Sequence, residues 1–189
     1  MNLLLIYITG GSLGARSINH TVSKIIPQLI KKFRILHQCG MANRSEDFKQ
    51  LSVLKNTLSA NERENYKVVE QIDPHLVGSI LHNALLCIGR AGANTVAELA
   101  RVGVPSILIP LPWSAEGEQT ENARLLRKLG LAIIISQQEL TSQKLLESII
   151  LIASHRADYQ ANKEMVNQLF PQDANKHLVA IIESVLPSQ

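Results

Sequence analysis

The chain is predicted to be an α/β protein, with a parallel sheet of about six strands and helices on both of its faces. Two observations lead there. Short apolar runs alternate with helix-period segments along the 189 residues, the order a parallel sheet needs because each strand requires a crossover before the next. Two of those runs then feed small-residue turns that open helical patterns, at Thr9-Gly-Gly-Ser-Leu-Gly-Ala-Arg16 and at Gly89-Arg-Ala-Gly-Ala-Asn94. That is how α/β proteins aim backbone N–H groups at a phosphate or a sugar.

The elements follow in order. Leu3–Thr9 is apolar throughout and reads as a buried parallel strand. It is too short to span a membrane, and no basic segment or cleavage site accompanies it, so it is neither anchor nor signal peptide. A chain that starts on a core strand suggests further sequence upstream. A helix is expected over Gly14–Ile26, with Ser12 as its cap and anion donor. Strands are expected at Phe33–Gln38, Lys67–Gln71, Ala84–Ile88, Ser106–Ile109 and Ala132–Ile135. Between them, helical periodicity marks Ser45–Leu58, Pro74–His82, Ala93–Val102, Glu118–Leu129 and Ser142–Ala153, and two more helices follow at Ala157–Leu169 and Asp173–Val185. Gly103 and Gly130 stop the helices before them. Pro110 to Gly117 is a rigid loop at the ligand edge, with Trp113 packing it onto the domain.

The bulk numbers remove several function classes. Hydrophobic residues make up 46% and charged residues 19%, which are globular values. The net charge of +3 is scattered and aromatic content is 4%, so no nucleic-acid-binding stripe is present. The histidines show no paired spacing and Cys39 and Cys87 are far apart, so no metal site is expected and both cysteines read as buried free thiols.

The first glycine loop permits three chemical readings. Gly10 and Gly11 allow a tight turn and close approach of a phosphate. The same residues spell G-x-S-x-G, a nucleophile elbow with Ser12 as nucleophile and His155 or His177 as base. A dinucleotide fingerprint is disfavoured, because Ser12 and Ala15 replace two of its glycines and the second strand ends at His37-Gln-Cys-Gly40 without an acid.

Both loops together resemble the C-terminal half of the MurG family, bacterial N-acetylglucosaminyltransferases of GT-B fold that form lipid II. The likeness lies in Gly10-Gly-Ser-Leu-Gly-Ala-Arg-Ser-Ile-Asn19, Gln71-Ile-Asp73, Arg90-Ala-Gly-Ala-Asn-Thr-Val-Ala-Glu98 and Gly117-Glu-Gln-Thr-Glu-Asn-Ala123, four motifs in register over nearly the whole chain. The resemblance implies one Rossmann-like domain over residues 1–189, half of a GT-B enzyme, that binds UDP-N-acetylglucosamine. It implies that Ser12 contacts the diphosphate, that Gly11 and Gly14 belong to the donor site and that the backbone of Ile72 meets the uracil. Arg90 would belong to the same site, Ala93, Asn94 and Thr95 would line the nucleotide and phosphate region, and Glu98 would accept from both ribose hydroxyls. Gln119 would read the sugar and Asn122 support that helix start. Neither a metal nor a cofactor is implied. Catalytic residues are expected in an N-terminal half that binds lipid I and brings the enzyme to the cytoplasmic face of the inner membrane. Alternatively the chain is a separate donor subunit, or a nucleotide-sugar-binding module without activity. Residues 157–186 would pack toward the other half, with Leu178, Ile181, Ile182 and Val185 as the apolar stripe.

Plainer readings stand beside these. Glu98 and Arg101 form a surface pair one helical turn apart, Thr95 only caps, Gln119 is an ordinary first-turn residue, or Arg90 is a solvated loop charge. One departure from the family pattern is Glu118, where Gln or His is usual. A carboxylate there repels a diphosphate, so it is expected to point away.

Overall fold

The computed structural model describes residues 3–41, 46–159, 163–170 and 174–185. Its centre is a six-stranded, all-parallel sheet in the order β3-β2-β1-β4-β5-β6. The strands are β1 (Leu4–Thr9), β2 (Phe33–Gln38), β3 (Tyr66–Val69), β4 (Ala84–Gly89), β5 (Ser106–Leu108) and β6 (Ala132–Ile134). All six were expected, β2 with its ends unchanged and the others with ends moved by one or two residues. The order reverses between β1 and β4, which pair in register from Ile6↔Leu86 to Thr9↔Gly89. Crevices that bind ligands open at such a switch point, outside the carboxyl ends of the strands.

Each sheet face carries its own apolar layer. Ile6, Ile8 and Ile88 pack under α1 (Arg16–Ser23), α2 (Ile26–Leu29) and α8 (Ser142–Ser154), through Ile18, Val22, Leu145 and Ile149. Tyr7, Cys87 and Leu108 pack under α5 (Pro74–Asn83), α6 (Ala93–Val102) and α7 (Glu118–Lys128), through Leu81, Val96, Leu99 and Leu126. Alternation along β1 thus sends its isoleucines to one layer and Tyr7 to the other. α9 (Lys163–Leu169) joins the second layer through Val166.

Several elements depart from expectation. The helix expected over Gly14–Ile26 is α1 plus α2, because Gly14 sits at φ +85°, outside helical space, and Pro27 opens a new first turn. The cap of α1 is therefore Ala15, which makes no side-chain bond, and Ser12 caps nothing. α3 (Glu46–Thr57) is followed by an unexpected short α4 (Ala60–Glu64), where Ser59 N–H donates to Glu62 at 3.1 Å. The helix expected over Ala157–Leu169 is a 3-10 turn, Arg156–Asp158, and then α9. Ser45 and Asp173, two expected helix starts, lie outside the described residues. α10 (Ala174–Val185) carries the expected stripe, with Leu178, Ile181, Ile182 and Val185 all exposed.

Candidate functional site

A cleft of about 280 Å³ opens at the switch point, with the loop after β1 on one wall and the start of α6 on the other. Gly11 and Ser12 come from the first wall, Asn94, Thr95 and Glu98 from the second, and Ile72 closes one end. Six of the eleven expected site residues thus share one cavity. A larger groove of about 530 Å³ lies among His82, Val104 and Arg156. It sits at the amino ends of β4 and β5 and at the carboxyl end of α6, where the helix dipole is negative and disfavours an anion.

The first wall is shaped by glycine. Gly11 and Gly14 both take positive φ, and Gly14 N–H donates to Gly11 O at 3.2 Å, closing a tight turn. A Cβ on Gly14 would stand 2.1 Å from Cys39 O, so this turn rests backbone against backbone on the loop after β2. Gly14 thus packs against that loop, with its N–H already used inside the turn, and it lies outside the cleft lining. Met41 N–H donates to Ser12 O at 3.0 Å and holds the same contact. The Ser12 hydroxyl is left exposed, with no hydrogen bond to a described residue.

The second wall begins at Gly92, the cap of α6. The first-turn N–H groups of this helix have no carbonyl a turn back to receive them, and they carry the positive end of its dipole. Asn94 and Thr95 side chains make no hydrogen bond to described residues, so Thr95 does not cap. Ala93 starts the helix just outside the cleft lining. Glu98 lies one turn further in. It forms no ion pair with Arg101 among the described residues, and partial burial raises its carboxyl above the usual range. Ile72 has neither its N–H nor its carbonyl bonded to another described residue, which leaves a free peptide edge at the end of the cleft.

Three more expected site residues serve the scaffold. Arg90 donates to Ile109 O (3.0 Å), Pro110 O (3.3 Å), Ser17 Oγ (3.0 Å) and Gln137 Oε1 (2.7 Å). It is neither a solvated charge nor a cleft residue; it ties the loop after β4 to α1 and to the strand ends beside it, and burial lowers its pKa. Gln119 accepts from Leu111 N–H at 3.0 Å and so pins the Pro110–Gly117 loop. Asn122 donates to Ala91 O at 3.1 Å, the helix support expected of it. It also donates to Glu118 at 3.1 Å, and Glu118 stays out of the cleft lining. Trp113 was expected to pack; it is 72% exposed.

Tyr7 and Gln38 were missed. Both line the floor of the cleft, and Tyr7 Oη donates to Gln38 Oε1 at 2.6 Å. Burial pushes the Tyr7 phenol up to about 12. The signal was available: Gln38 occupies the strand-end position where a dinucleotide fold keeps an acid, and Tyr7 is the one aromatic residue of β1. Burial raises Cys87 to about 12 and Cys39 to about 11, so both remain thiols, as expected.

The nucleophile-elbow reading fails here. Among the described residues no histidine lines the cleft, His155 Nδ1 is engaged with Ser154 and Leu151, and the His177 side chain lies outside the described residues. The strained turn of an elbow is also missing, since the one non-glycine with positive φ among the described residues is Glu116. No group of three His, Cys, Asp or Glu side chains suited to a metal comes together among the described residues.

Comparison with known proteins gives a consistent picture. The glycosyltransferase family 28 C-terminal domain matches residues 5–178. The UDP-N-acetylglucosamine–N-acetylmuramyl-(pentapeptide) pyrophosphoryl-undecaprenol N-acetylglucosamine transferase of Clostridium perfringens strain SM101 is 36% identical over 165 residues, covering 87% of this chain and 43% of that protein. Acinetobacter baumannii MurG is similar in structure, with TM-score 0.76 and 30% identity over 97% of this chain and 53% of that one. The chain thus spans about half the length of the relatives it matches. ALG13 shares the fold at TM-score 0.56 and 16% identity, and there 96% of the other chain is covered.

Proposed function

The chain belongs to the glycosyltransferase family 28 C-terminal domain family, and from that premise we propose that it is the donor-binding half of an inverting transferase. In the complete enzyme, N-acetylglucosamine passes from UDP-N-acetylglucosamine to lipid I, forming lipid II for peptidoglycan. One observation carries the reading. A single cleft brings together side chains with no hydrogen bond to a described residue (Ser12, Asn94 and Thr95) beside the first α6 amides, a lone carboxylate at Glu98, and a free peptide edge at Ile72. Those are the complements of a diphosphate, a ribose and a uracil.

The roles follow from the chemistry. The α6 N-terminus and the Ser12 and Thr95 hydroxyls donate to the diphosphate and stabilise its charge as it leaves. Glu98 accepts from two ribose hydroxyls, and Ile72 meets the uracil edge. The acceptor's muramyl 4-hydroxyl attacks C1 of the sugar while the bond from C1 to the UDP oxygen breaks. Orienting that hydroxyl and removing its proton falls to an acceptor domain or subunit. Arg90, Gln119 and Asn122 support the reaction by holding the loops. Membrane attachment is assigned to the acceptor side; among the described residues no helix is long and apolar enough to cross a bilayer.

Calorimetric titration with UDP-N-acetylglucosamine, UDP-glucose and NADH tests this. The expected result is binding of the first at about micromolar Kd, roughly −8 kcal/mol, with NADH silent. Binding of NADH in place of uridine nucleotides would overturn it.

A further inference from the structure

Building on that reading, we propose that Gln38 is a further diphosphate-contacting residue and that Tyr7 is its positioning residue, holding the Gln38 amide with its N–H₂ edge toward the anion. Gln38 ends β2 and is only 7% exposed, yet it lines the cleft beside Gly11 and Ser12. Three neighbours decide which way its amide lies. Gly11 O can only accept, and Nε2 stands 3.4 Å from it. Thr9 Oγ1 accepts the Gly11 N–H at 3.0 Å, so its own proton turns to Oε1, at 3.4 Å. Tyr7 Oη supplies the short bond to Oε1, at 2.6 Å. A flipped amide would set carbonyl against carbonyl at Gly11 and leave Thr9 without an acceptor.

With two donors on Oε1, its acceptor capacity is filled, and the group Gln38 still offers is its second N–H. That N–H belongs to the same rim as the Ser12 hydroxyl and the Gly11 turn. The group that Gln38 itself presents where β2 ends is therefore a donor. An acid at this strand end selects a ribose hydroxyl; an amide locked as a donor selects a phosphate oxygen. Phenylalanine would meet the packing need of Tyr7, since its ring sits in the apolar layer and its hydroxyl is spent on Gln38. A buried hydroxyl is tolerated because it is bonded, and with its pKa near 12 it remains a donor at every ordinary pH.

The test compares UDP with uridine, which lacks the phosphates, by NMR titration of the full chain and of Tyr7→Phe and Gln38→Met. Tyr7→Phe is expected to weaken UDP by about three- to tenfold and Gln38→Met by about tenfold or more, with uridine within about twofold for both. Should Gln38→Met not fold, Gln38→Asn keeps the amide but draws it back from the rim, and the same selective loss is expected. Equal loss of UDP and uridine would reduce Tyr7 and Gln38 to structural parts and overturn the proposal, as would unchanged affinities. Absence of binding by the unaltered chain to either ligand would overturn the nucleotide reading beneath it as well.

Discussion

At the scale of residues, the cleft separates two kinds of polar group: those left free for a ligand and those already engaged by the protein. Ser12, Asn94, Thr95 and Glu98 are free, whereas Arg90 and Gln119 are bonded to the scaffold. Spacing along the chain set Ser12, Arg90, Asn94, Thr95 and Glu98 at or just after the two glycine loops and Gln119 at a third helix start. It did not reveal which side of a loop each would face, because that depends on partners far off in sequence, such as Gln137 for Arg90. Glu98 is the most informative single substitution. Glu98→Ala is expected to weaken UDP binding by about 1.5–3 kcal/mol, read by calorimetry; an unchanged affinity removes Glu98 from the ribose. Burial raises the Glu98 pKa, so the folded state holds this proton more tightly than the unfolded state does. Its contribution to stability therefore falls as pH rises through the carboxylate range. Glu98→Gln removes that penalty, and thermal melts at pH 7 should show Tm unchanged or raised while ribose affinity drops.

Among the elements, the glycine loop after β1 is held from behind by β2 and α1. His37 is fully buried between Tyr66 Oη (3.1 Å) and Asn19 Oδ1 (2.9 Å), and Asn19 Nδ2 donates to Cys39 O at 2.9 Å, the carbonyl against which Gly14 rests. Burial alone lowers the His37 pKa to about 3. The unfolded chain therefore binds a proton near pH 6.5 that the folded chain refuses, and stability is lost as pH falls from about 6.5 toward 3. Acid unfolding followed by circular dichroism should begin in that window, and His37→Gln, which cannot charge, should flatten it. Gly14→Ala combines a left-handed φ with a 2.1 Å clash and is expected to destabilise the fold by more than about 1 kcal/mol, read by urea titration. Periodicity placed β1, β4 and α6 well, since their apolar faces are continuous and α6 ends at Gly103 in the left-handed region as its composition demands. It misjudged the segment from Gly14 to Leu29, where the φ of one glycine and the ring of one proline outrank a hydrophobic pattern that runs on undisturbed.

For the whole molecule, the β1/β4 reversal explains why two loops separated by some eighty residues of sequence share one cleft. That alternation was legible in the strand and helix order alone. The apolar stripe of α10 was legible in its helical spacing too. Leu178, Ile181, Ile182 and Val185 remain open, Val185 at 74%, and apolar patches of this kind drive association. Leu178→Glu combined with Ile182→Lys is expected to reduce concentration-dependent self-association in sedimentation velocity and to leave UDP-N-acetylglucosamine affinity unchanged. A drop in that affinity would place α10 in the donor site.

The central claim is that one crevice, between the turn at Gly11–Gly14 and the head of α6, holds the nucleotide. Backbone amide shifts of the chain titrated with UDP-N-acetylglucosamine read this directly. The account predicts the largest shifts at Gly11, Ser12, Ile72, Asn94, Thr95 and Glu98, saturating together, with α8 and the groove at His82 and Arg156 silent. Shifts centred on that opposite groove, or divided between the two loops with different affinities, would contradict it.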